Sequence, residues 1–141
     1  MSEPLSTSRR PQEKGQDGAG PAWGMLLLWF MRMVAVVWIV KGLGAWMMIL
    51  GADPLGVSFE NLPAAQRGVV IVFAVLDLVA GVGLWLTSAW GGVMWLLAVM
   101  TDLIAYILGA PAPNSSTVFV GFELALVLGY LVLSWLASRD E

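Results

Sequence analysis

Four ionisable side chains stand inside otherwise apolar runs of this 141-residue chain: Lys41, Asp77, Asp102 and Glu123. In a bilayer interior each such charge costs about 2.5–3.5 kcal/mol on insertion scales, so pairing or protonation is expected. The residue types limit the chemistry. A lysine opposite an acid forms a buried ion pair, whereas two acids at one level hold at least one carboxyl neutral and share a proton. Histidine and cysteine are both absent. Their absence removes disulfides, iron–sulfur clusters, Cys/His zinc sites, His-held haem and any catalytic dyad or triad built on those side chains. No catalytic residue, metal or cofactor is therefore assigned, and the chain is not read as an enzyme.

The elements that must position these charges are membrane spans. The chain is 59% hydrophobic and 12% charged, with a mean hydropathy of +0.82, far from the quarter-charged make-up of soluble domains. One helical span takes about 20 apolar residues. Four stretches qualify, at about 31–50, 63–86, 90–108 and 117–136. The expected fold is all-α: an integral membrane four-helix bundle over 23–141 behind a tail of residues 1–22. That tail is rich in Gly, Pro, Ser and charge, and is expected to be disordered because it cannot bury enough apolar surface to offset ordering. Its Ser8-Arg9-Arg10 differs from a twin-arginine export signal, since Gln12 and Glu13 stand where such signals are apolar. Arg9, Arg10 and Lys14 instead read as positive-inside anchors.

Local signals place the element ends. The run from Trp23 to Leu50 would make ~42 Å of helix, too long to stand upright. Either the helix tilts or, the favoured expectation, Trp23–Met31 lies partly along the cytoplasmic interface with Arg32 as a membrane anchor reaching the headgroups. Arg32 and Lys41 are nine residues apart and fall on opposite helix faces, which turns Lys41 inward with Gly44, Ala45 and Met48. Gly51 suits a helix C-cap and Pro63 a helix start. Thr87-Ser88 forces spans two and three into a hairpin. In span three, Gly91, Trp95, Ala98, Asp102, Ala105 and Gly109 follow a helical stripe, and a serine among 109–116 can cap span four. Span four carries one stripe of Ser116, Glu123, Val127, Tyr130 and Ser134. A second ridge of small residues, Gly121, Ala125 and Gly129, is expected to pack on span one or to dock another copy or subunit.

Charge sets orientation. Arg9, Arg10, Lys14, Arg32 and Arg139 lie on one side and only Arg67 on the other, so both termini are expected in the cytoplasm. Depth then sorts the ionisable groups into two sets. Asp102 and Glu123 each lie ~9 Å below the outer ends of adjacent helices, which makes them candidate proton-sharing carboxylates. Lys41 and Asp77, both near mid-depth, make the natural intramembrane pair.

An arginine at the entry of span one, Lys41 and glycines within it, and an acid followed by glycines in span two (Asp77, Gly81, Gly83, Leu84) resemble the layout of the DoxX-like four-span bacterial membrane proteins. The chain also resembles a family of uncharacterised bacterial membrane proteins of this length. The first resemblance implies a subunit role, in some relatives beside quinone-linked sulfur oxidation or oxidative-stress complexes. The sequence is thus read as a non-catalytic accessory or scaffold subunit of the bacterial inner membrane. Its expected partners are the lipid bilayer and either copies of itself or a larger membrane complex. A small proton-coupled carrier using the intramembrane acids is the alternative, and a subunit of a quinone-linked redox system the third reading. No basic stripe of the kind that binds nucleic acid is present.

Overall fold

The computed structural model describes residues 22–139 apart from 53, 55, 113 and 114. Its elements are helix α1 (Ala22–Ile49), a short 3-10 turn (Phe59–Asn61), and helices α2 (Ala64–Trp85), α3 (Ala89–Ile107) and α4 (Thr117–Arg139). All four α-helices are long and apolar enough to cross a membrane, and the chain is a membrane four-helix bundle. The expected tail disorder and the Arg9, Arg10 and Lys14 anchors lie outside the described residues.

Helix ends follow the local signals. Gly51 and Gly109 take φ of +73° and +74°, the left-handed conformation in which a side chain is strained. Just beyond them, the Ala52 and Ala110 N–H groups donate to the carbonyls of Met47 and Ala105, closing α1 and α3 with the same cap. The Ser88 hydroxyl donates to the Gly83 carbonyl at 2.9 Å and tightens the α2–α3 hairpin. Ser116 Oγ accepts from the Phe119 N–H at 3.2 Å and caps α4. The first span departs from expectation. α1 is one unbroken helix of 28 residues starting at Ala22 rather than near Met31, because nothing in Trp23–Phe30 interrupts helix formation.

Three of the helices meet through close backbone contact. Helices α1 and α2 run antiparallel from Arg32 beside Trp85 to Trp46, whose indole N–H donates to the Ala74 carbonyl at 2.8 Å. Between those points Gly42 and Gly81 let the backbones approach: a Cβ at Gly81 would lie 3.2 Å from the Ala35 carbonyl oxygen. At the hairpin Gly83 and Gly91 abut so closely that a Cβ on Gly91 would collide with the Gly83 backbone. The core between these helices holds Trp38 and Trp95, packed edge to face at 5.6 Å, with Val34, Ala35, Ala80, Leu84, Ala98 and Val99 around them. The α3 stripe is buried from Gly91 through Trp95, Ala98 and Asp102 to Ala105. Its last expected member, Gly109, falls past the helix end and is exposed.

Helix α4 is different. Among its residues only Val120 and Glu123 are buried. It touches the core through Val127 and Tyr130, the latter edge to face with Trp95 at 5.5 Å. Near its middle, Gly129 lies beside the Phe30 ring of α1.

Candidate functional site

The site is built from one residue on each helix. On α2 the buried residues Val70, Phe73, Ala74, Asp77, Ala80, Gly81 and Leu84 repeat at three and four, which fixes Asp77 on the inward stripe. The same periodicity turns Asp102 inward on α3 and Glu123 on α4. On α1, Trp38 and Gly42 are buried on either side of Lys41.

All four groups converge. Lys41 Nζ lies 2.9 Å from Asp102 Oδ2 and 3.1 Å from Glu123 Oε1, donating a hydrogen bond to each. Asp77 Oδ2 is 3.5 Å from the same nitrogen. The three acids are at most 1% exposed, and the lysine side chain is 17% exposed. Asp102 also accepts from the Ser115 hydroxyl at 3.2 Å through its other oxygen. Asp77 is the exception: neither of its oxygens accepts a hydrogen bond among the described residues.

The expected Lys41–Asp77 ion pair is present at 3.5 Å, and the same ammonium also reaches Asp102 and Glu123, so the two expected sets form one cluster. The levels are close. Lys41 is eight residues from the C-terminal end of α1 at Ile49, or ~12 Å along the helix. Asp102 and Glu123 lie five and six residues from their helix ends at Ile107 and Thr117, or ~8–9 Å deep. Asp77 is thirteen residues beyond Ala64, at ~20 Å. The lysine therefore shares a level with Asp102 and Glu123, and its flexible stem spans the rest.

Aromatic rings complete the surroundings. The Lys41 ammonium lies 4.7 Å from the Phe73 ring centroid, 5.4 Å from Phe119 and 5.6 Å from Trp38, within cation–π range of each. Sequence reasoning passed over these rings and Ser115, although a signal was present. Phe73 precedes Asp77, and Phe119 precedes Glu123, by four residues, a spacing that puts ring and carboxylate on one helix face. Beside the cluster a cavity of about 350 Å³ opens between α1, α2 and the α3–α4 connection, with Lys41, Asp77 and Ser115 as its polar groups.

The remaining sequence-predicted residues lie apart from the cluster. Arg32 is exposed, with its guanidinium 5.5 Å from the Trp85 ring at the hairpin end of α2. In the small-residue ridge, Gly121 and Ala125 are exposed and a Cβ on Gly121 would meet open space, whereas Gly129 sits against α1. No group of three His, Cys, Asp or Glu among the described residues is placed to hold a metal ion; the lysine occupies the point where the carboxylates converge.

Four apolar helices closed around a shared lysine define a small multi-pass membrane protein of the helical-bundle class. The chain belongs to a family of unknown function, DUF6163, which matches residues 25–141. No curated protein and no solved structure matches it.

Proposed function

We propose that the protein is a non-catalytic accessory or scaffold subunit of a larger assembly in the bacterial cytoplasmic membrane, with both termini on the cytoplasmic side. The observation that carries this reading is the sharing of one ammonium by carboxylates from all three other helices. Removing Lys41 leaves three buried acids without their cation, so the cluster ties all four helices into one register through that residue. The orientation rests on Arg9, Arg10, Lys14, Arg32 and Arg139 facing Arg67 alone. A docking role for α4 rests on the exposed Gly121 and Ala125, where a neighbouring helix can approach closely.

Purification from native membranes in mild detergent tests the proposal. A partner subunit or second copy is expected to travel with the wild-type chain and to be lost in Ala125→Leu, with the variant monomer still folded. The carrier reading draws on one observation, the Asp77 carboxylate without a hydrogen bond beside a cavity. Proton-gradient-driven flux in reconstituted vesicles that disappears in Asp102→Asn or Glu123→Gln, together with a solitary wild-type chain, would put the carrier in place of the scaffold. A quinone-linked redox role rests on the DoxX-like span layout alone, and without histidine or cysteine its redox centre would belong to a partner subunit.

A further inference from the structure

The cavity beside Lys41 carries an inference of its own. Three acidic side chains converge on one ammonium, so acids outnumber cations in the cluster. Lys41 gives its hydrogen bonds to Asp102 and Glu123. Asp77 is left with both oxygens unbonded, is fully buried from solvent, and lines the cavity. The Lys41 ammonium lies 3.5 Å from Asp77 Oδ2 without hydrogen-bonding it, and a buried acceptor left without a donor is costly, so a donor reaching it from the cavity would complete the site. The other walls are largely apolar. Phe73 and Phe119 line the cavity, and their rings already flank the Lys41 ammonium within cation–π range. Val40, Gly44, Met48 and Val70 line the rest and suit a short apolar tail.

We propose that this cavity is a binding site for a small primary ammonium with an apolar tail, its N–H groups donating to Asp77 and its tail lying along α1 toward Met48. With a second ammonium in place, three acidic side chains still face two cations, which offsets the repulsion from Lys41. A carboxylate ligand would add another acid to that excess, and an alcohol would offer a donor without the charge.

Equilibrium dialysis of radiolabelled n-hexylammonium against the full chain in lipid nanodiscs, with empty nanodiscs subtracted, tests the assignment. At neutral pH the probe is charged, since alkylamines titrate near the lysine value of about 10.4. Saturable binding of one hexylammonium per chain is expected, undisturbed by equimolar n-hexanol and weakened at least tenfold in Asp77→Asn. Gly44→Phe fills the cavity from a position where a Cβ meets open space and leaves all four charged groups in place, and it is expected to abolish binding. Absence of saturable binding to the wild type overturns the proposal. Equal displacement by hexanol, or unchanged affinity in a folded Asp77→Asn, also overturns it. Should Asp77→Asn fail to fold, Gly44→Phe decides: retained binding contradicts the site and lost binding supports it.

Discussion

Helices α1 to α3 and helix α4 are held by different physics. The first three meet along seams where Gly42, Gly81, Gly83 and Gly91 bring backbones together around a core of Trp38 and Trp95. In a membrane, where lipid is as apolar as the core, such close packing is a main source of helix association. Helix α4 has little of it. Its exposed residues include Val118, Phe122, Leu124, Leu128 and Leu131, and its deepest attachment is Glu123 on the Lys41 ammonium. Shape holds three helices together, and charge joins the fourth to them.

The largest expected effect comes from removing the shared cation. Lys41→Met leaves three buried carboxylates without their ammonium, and breaking a buried pair in this way costs about 3–5 kcal/mol. Folded yield in detergent should collapse. Adding Asp77→Leu, which would restore a simple two-residue pair, should not restore the yield, since Asp102 and Glu123 still lack their donor. Recovery in that double variant would return the cluster to two independent sets.

A smaller and more local contrast comes from two glycines. Gly91→Val forces a side chain into the Gly83 backbone, an overpacking with no flexible neighbour to yield, at about 3 kcal/mol. Gly121→Val on α4 meets open space and should shift stability by no more than about 0.5 kcal/mol. Urea or thermal unfolding of the two variants compares them directly, and equal losses would mean that α4 is packed as tightly as α2.

Much of this was legible in the chain. Gly51, Pro63, Thr87-Ser88 and Ser116 mark helix ends because each has a local backbone reason to stand there. Each buried charge is visible as a charge in an apolar run. What local signals could not set was the reach of the Lys41 stem: backbone depth places Lys41 slightly below Asp102 and Glu123, and the flexible side chain closes that gap. Ser115 joins the site only through the fold, whereas the rings of Phe73 and Phe119 left one signal, their place four residues before Asp77 and Glu123.

The chain has no native cysteine, so spin labels can be placed freely, and one distance measurement addresses the division between the two regions. Label pairs at the exposed positions Leu43 and Leu128 report α1 against α4, and at Leu43 and Val75 report α1 against α2. Glu123→Leu removes the α4 tether but leaves Lys41 paired with Asp102 and Asp77, so no cation is stranded. Electron–electron resonance distances in nanodiscs should broaden and lengthen for Leu43–Leu128 in this variant while Leu43–Val75 stays unchanged. An unaltered Leu43–Leu128 distribution, or equal broadening of both pairs, would contradict a bundle whose fourth helix is held by charge.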